Sequence, residues 1–158
     1  MEGVAPRWPR AGAALLGFLG VAAGAFGAHG LRDLVTLEQL NTWNTAADYQ
    51  LLHAIALLGL ATWQQSALSS RLQSWLLLAC GLMIAGVLLF SGSLYLLVLT
   101  NMSAFGPITP LGGLALLMAW SILFGCALVK GRSVTTLPPS PCRKPTDLFA
   151  ALFSALEE

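Results

Sequence analysis

Charge is what this sequence has least of. Asp, Glu, Lys and Arg make up 9% of its 158 residues while hydrophobic types make up 56%, against roughly 25% charged in soluble domains. That deficit excludes water as the main solvent of the chain. The eight basic and seven acidic residues nearly cancel, and the basic ones are scattered, so there is no electrostatic footprint for a nucleic acid. Cysteine is scarce as well. Of the three, Cys80 and Cys126 lie in apolar stretches and Cys142 in a polar tail, without the pairing or spacing of a disulfide framework or a metal site.

Long uncharged apolar stretches are what the sequence has in abundance. They cover about 11–28, 46–63, 72–99 and 110–129, each long enough for a helix to cross a hydrocarbon core of about 30 Å. The expectation is an all-α integral membrane four-helix bundle over residues 1–132. Lys and Arg set its orientation, because loops rich in them stay in the cytoplasm. With four spans, Arg7, Arg10, Arg71, Lys130, Arg132, Arg143 and Lys144 share one side and Arg32 lies on the other. Both termini are therefore expected inside. Trp8, Trp63 and Trp75 fall at the inner interface and Trp43 at the outer one, while Trp120 is exceptional in lying mid-span.

The first stretch also has the basic start and apolar middle of a cleaved signal peptide. Its small residues favour retention: Ala13, Gly17, Gly20, Gly24 and Gly27 alternate steps of four and three and share one helical face. Such a face lets a neighbouring helix approach closely. Between the first two spans, Thr36 and Gln39 make a capping-box pattern with Val35 and Leu40 at staple positions. A short outer-surface helix should start there and run through Trp43, with Asn41 and Asn44 marking a potential break. Residues 133–145 contain four prolines and read as an extended linker. Residues 146–158 follow as an amphipathic helix, with Leu148, Phe149, Leu152, Phe153 and Leu156 on one face, or as a disordered tail.

Polar side chains within spans are the natural functional candidates, because placing them in hydrocarbon is costly. Tyr49, Gln50 and His53 occupy related positions on the second span, with His53 about 10 Å below its outer end at the helical rise. Ser91 and Tyr95 share a face of the third span at matching depth, with Ser93 beside them. His29 closes the first span and Thr109 opens the fourth, with Gly112 behind it. These residues form a polar layer in the outer half of the bundle. It is either a ligand pocket or a set of hydrogen bonds fixing helix register, each contributing about 1 kcal/mol in a membrane. Gly92 and Gly112 join the first-span glycines as helix-packing positions.

Catalysis and cofactor chemistry find little support. His29 and His53 invite a haem or metal reading, but a zinc site wants three or four protein ligands and no third histidine exists. A proton relay through His53 lacks an intramembrane carboxylate. Ser91-Gly92-Ser93 is not a nucleophile elbow. No cofactor, no metal and no enzyme activity are expected.

The segments Gly24-Ala25-Phe26-Gly27-Ala28-His29-Gly30, Asp48-Tyr49-Gln50-Leu51-Leu52-His53, Leu89-Phe90-Ser91-Gly92-Ser93-Leu94-Tyr95 and Ile108-Thr109-Pro110-Leu111-Gly112-Gly113 resemble, in order and spacing, the small membrane family called domain of unknown function 423, to which transmembrane protein 256 and its relatives also belong. The resemblance covers roughly residues 10–131. It implies a compact helical protein of the bacterial plasma membrane, or of the mitochondrial inner membrane in a eukaryote, and it supplies no reaction. Its motif positions coincide with the polar layer reached from the spans. The functional expectation is a non-catalytic accessory or organising component of a membrane complex, in contact with the lipid bilayer and with a membrane-protein partner or a second copy. The alternative is a small-molecule or proton transporter using the polar layer.

Overall fold

A computed structural model describes residues 6–67 and 69–128. The expected linker at 133–145 and the tail at 146–158 lie outside the described residues. The described chain is helical throughout its ordered elements: α1 (Trp8–Phe26), a π-helical turn (Gly27–Leu31), α2 (Leu37–Ser66), α3 (Ser70–Thr100), a 3₁₀ turn (Ser103–Ile108) and α4 (Thr109–Leu128).

Local chemistry sets the boundaries. Pro9 stands in the first turn of α1, where a missing N–H costs nothing. The Thr36 capping box forms, with Gln39 N–H donating to Thr36 Oγ1 at 3.2 Å and Thr36 N–H donating to Gln39 Oε1 at 3.0 Å. Asn101 ends α3 with φ 52°, the left-handed conformation that asparagine tolerates at a helix terminus. Its Oδ1 accepts from Gln39 Nε2 at 3.3 Å, tying the start of α2 to the end of α3.

One boundary differs from expectation. The segments expected as an outer-surface helix and a second span form a single α-helix of 30 residues, without a break at Asn41 or Asn44. Both asparagines are exposed, so neither competes for the backbone in the core, and the intervening Trp43 is anchored by packing. Trp43 itself, expected at an interface, is 5% exposed.

Successive helices run antiparallel, α1 against α2, α2 against α3 and α3 against α4. Among the described residues α1 and α4 make no backbone contact, nor do α2 and α4, so α3 is there the only helix that packs on all three others. α3 and α4 interlock most tightly. A Cβ on Gly86 would stand 2.7 Å from Leu116 Cδ2. One on Gly112 would collide with the Phe90 backbone nitrogen and stand 2.9 Å from the Gly86 carbonyl oxygen. Small residues here allow backbone-to-backbone approach.

The solvent preference of the fold is inverted. Phe18, Ile55, Leu117 and Phe124 point outward, whereas Gln50, His53, Gln64, Ser91 and Ser93 are buried. Soluble proteins avoid a continuous apolar exterior, and lipid demands one. Among the described residues three helical stretches, Trp8–Leu31, Ser70–Thr100 and Ser103–Leu128, are long and apolar enough to cross a membrane. α2, expected to span over 46–63, is not among them. Its average is lowered by Asp48, Tyr49, Gln50 and His53, of which Gln50 and His53 face inward, while Leu52, Ile55 and Leu58 face out.

Candidate functional site

The polar layer is organised around Gln50. Gln50 lies on the buried face of α2 with Ala46, Ala47, His53 and Ala54. Its Nε2 donates to the Leu16 carbonyl on α1 at 2.8 Å, and its Oε1 accepts from the Tyr95 hydroxyl on α3 at 3.1 Å. One amide thus joins three helices. The Leu16 carbonyl is reachable because residue 20, one turn on, is glycine, and a Cβ there would stand 2.8 Å from Leu51 Cδ2 and 3.5 Å from Gln50 Cγ.

A second rung repeats the arrangement. Trp43 Nε1 donates to the Ala23 carbonyl at 2.8 Å, and again the residue one turn on is glycine, Gly27, whose added Cβ would stand 2.6 Å from Trp43 Cδ1. The indole also meets Tyr95, with ring centroids 4.5 Å apart, and Phe26 at 5.6 Å. At this wedge α1 widens into its π-helical turn, a local distortion that such insertions accompany. Phe26 lies over Gly30, where a Cβ would stand 2.7 Å from the ring.

His53 anchors the other side of the layer. Trp120 Nε1 on α4 donates to His53 Nε2 at 3.3 Å, and His53 Nδ1 lies 2.7 Å from the Tyr49 carbonyl. Both bonds are satisfied by one neutral tautomer, with the proton on Nδ1 donated to that carbonyl and the lone pair on Nε2 accepting from the indole. The Tyr49 ring stacks on His53 at 5.8 Å and on Phe90 at 4.6 Å. Nearby, Ser93 donates to the Phe90 carbonyl at 2.9 Å and accepts from Thr109, 2.7 Å away, which ties α3 to the start of α4.

The layer therefore brings together Tyr49, Gln50, His53, Ser93, Tyr95 and Thr109. Ser91 is buried near them, but its Oγ has no partner among the described residues. His29 is exposed on the π-helical turn, apart from the hydrogen-bonded set. Of the packing glycines, Gly20, Gly27 and Gly112 stand at close approaches and Gly17 makes an ordinary contact with Ala54, while a Cβ on Gly24 or Gly92 would meet nothing. No three His, Cys, Asp or Glu side chains gather as a metal site among the described residues.

Four participants were not anticipated as site residues. Trp43 and Trp120 supply indole N–H donors, and Trp120 had one legible sign, its mid-span position. The Leu16 and Ala23 carbonyls have no signature of their own beyond the glycines that uncover them.

Comparison with known proteins agrees with this architecture. Residues 23–113 match the family described as protein of unknown function (DUF423), an interval that begins at the Ala23 rung and ends at the glycine pair of α4. The chain is 41% identical over 110 residues to UPF0382 membrane protein SAB0533 of Staphylococcus aureus (strain bovine RF122 / ET3-1), covering 70% of this chain and 86% of that protein. It is 39% identical over 117 residues to UPF0382 membrane protein YwdK of Bacillus subtilis (strain 168), covering 73% and 91%. With UPF0382 inner membrane protein YgdD of Escherichia coli (strain K12) it shares 36% identity over 124 residues, covering 78% and 92%. No solved structure matches the chain.

Proposed function

The chain belongs to the DUF423 family of membrane proteins, and from that premise we propose that it is a non-catalytic component of a membrane assembly, built to present a fixed helical surface to other proteins. The observation that carries this reading is that the polar layer, Ser91 apart, closes on itself. Gln50, His53, Ser93, Tyr95, Thr109 and two indoles use one another and backbone carbonyls as partners. Groups so engaged hold helices in register. They are not free to bind substrate or shuttle protons.

Support for a partner comes from what is left open. Among the described residues α1 and α4 make no backbone contact, so the four helices leave one side unclosed, and Gly24 on α1 has space at its Cβ. Small residues facing lipid permit another helix to approach. In this reading α2 also crosses the bilayer, and both termini lie in the cytoplasm with Arg7, Arg10 and Arg71 at the inner surface. The test is the mass of the particle extracted in a mild detergent. A species larger than one chain is expected. A monodisperse single chain, unchanged by Gly24→Leu, overturns the reading.

The unpartnered Ser91 hydroxyl favours a second reading, in which the layer accepts a small polar ligand. Liposome uptake that is lost in both Ser91→Ala and His53→Ala would establish it in place of the first.

A further inference from the structure

A groove of about 420 Å³ lies between α2 and α4, walled by Ala56, Gly59, Leu60 and Trp63 on one side and by Trp120, Leu123, Phe124 and Ala127 on the other. It exists because the two helices do not meet through their backbones. Their hydrogen-bonded link, Trp120 to His53, marks one end of the groove. That bond also consumes the indole N–H, so Trp120 offers the groove only its apolar surface. No polar atom is exposed along the wall.

The dimensions select the occupant. From Ala56 to Trp63, and from Trp120 to Ala127, the walls run about 10 Å at the helical rise, and an α-helix with side chains is about 10 Å or more across. A volume of 420 Å³ over that length leaves a cross-section of about 40 Å², half of what a helix of that width needs. A hydrocarbon chain, whose carbons pack at about 4 Å, fits with room to spare. Depth agrees. The groove starts mid-span at Trp120 and opens where α2 ends at Ser66 and α4 at Leu128, so it falls within one leaflet of a core about 30 Å thick.

Charge selects the headgroup. Helix direction brings the start of α1, the end of α2, the start of α3 and the end of α4 to this same side. It carries Arg7, Arg10 and Arg71 and no acidic residue among the described ones, whereas Asp33, Glu38 and Asp48 lie on the opposite side with Arg32. We propose that the α2–α4 groove holds one acyl chain of an anionic phospholipid, drawn from the leaflet at the arginine-bearing end.

Trp63 and Trp120 line the groove, so a bromine-bearing acyl chain seated there quenches their fluorescence. The full-length protein is reconstituted in phosphatidylcholine vesicles carrying a minor fraction of brominated phosphatidylglycerol or of brominated phosphatidylcholine. A preference of about fivefold for the anionic lipid is expected, the scale of one basic residue near an anionic surface. A Cβ at Gly59 meets nothing within 4 Å, so Gly59→Leu fills the groove without a backbone clash and should abolish the preference. Ala127→Leu does the same from the opposite wall and stands in if the first variant fails to fold. Phe18→Leu, on the outward face of α1 and away from the groove, should leave the preference intact. Equal quenching by the two lipids, a preference that survives both filling variants, or a change of oligomeric state on filling the groove would overturn the proposal.

Discussion

Trp43 and Gln50 stand two helical turns apart on α2, and the carbonyls they reach, of Ala23 and Leu16, stand two turns apart on α1. The matched spacing makes the two bonds a ladder between antiparallel helices. A slip of one residue would break both rungs, because neither carbonyl would then face its donor. Each rung also depends on the glycine one turn past its carbonyl, Gly27 or Gly20. Register and close approach are thus specified by the same four positions.

Gly27→Ala tests the ladder. The new Cβ would stand 2.6 Å from Trp43 Cδ1 and 3.2 Å from Asn44 Oδ1, and the large indole is fixed by its ring contacts, so it yields poorly. Overpacking of this kind typically costs about 1–3 kcal/mol. Thermal denaturation in detergent should show the loss, together with a red-shifted tryptophan emission as Trp43 is displaced. Gly24→Ala, whose Cβ meets nothing, should match wild type in both measurements.

Gln50→Leu removes an acceptor from Tyr95 and a donor from Leu16 in one step, leaving the Tyr95 hydroxyl part-buried without its partner. Tyr95→Phe removes only the hydroxyl. The first should be the more destabilising, and in the double variant the two losses should fail to add. A coupling of about 0.6 kcal/mol is the scale for such bonds within membranes. Strict additivity of the two single changes in chemical denaturation would separate Tyr95 from Gln50.

The sequence made the polar layer visible because hydrocarbon makes polar residues conspicuous. Tyr49, Gln50, His53, Ser93, Tyr95 and Thr109 stand out at matching depths. Their partners were hidden for an equally physical reason. Trp43 resembles an interfacial anchor, since an indole suits the headgroup region as well as a buried carbonyl, Trp120 showed nothing beyond its mid-span position, and backbone acceptors carry no residue identity at all. α2 shows the converse. Periodicity over 46–63 located the helix, and Thr36 marked its start, yet its single continuous course past Asn41 and Asn44 depended on Trp43 packing against Tyr95 from another helix. His29 looked equivalent to His53 by composition, and only the π-helical turn turns it outward.

Adjacent glycines on α4 should behave differently. At Gly112 an added Cβ runs into the backbone of Phe90, 2.8 Å from its Cα, whereas at Gly113 the nearest atom is Phe90 Cδ2 at 3.9 Å. A backbone cannot rotate aside as a side chain can, so Gly112→Ala must push α4 off α3 and weaken the Ser93–Thr109 bond as well. A loss at or above the usual overpacking range of about 1–3 kcal/mol is expected. Gly113→Ala should be near neutral or slightly stabilising, because alanine favours the helix by about 1 kcal/mol relative to glycine. Melting temperatures of the two variants, measured side by side, make the comparison.

The His53–Trp120 bond should fix the surroundings of one indole. Its acceptor is the Nε2 lone pair of a ring whose other nitrogen is committed to the Tyr49 carbonyl. His53→Leu removes that acceptor and leaves the indole N–H without its partner, which frees Trp120 from α2. The difference in tryptophan emission between wild type and Trp120→Phe isolates this indole, and the same difference taken in the His53→Leu background should be shifted. His53→Gln keeps a side-chain oxygen that can accept from the indole, so its shift should be the smaller of the two. If the emission of Trp120 is unchanged in His53→Leu, the tautomer deduced from the two bonds is not what holds Trp120.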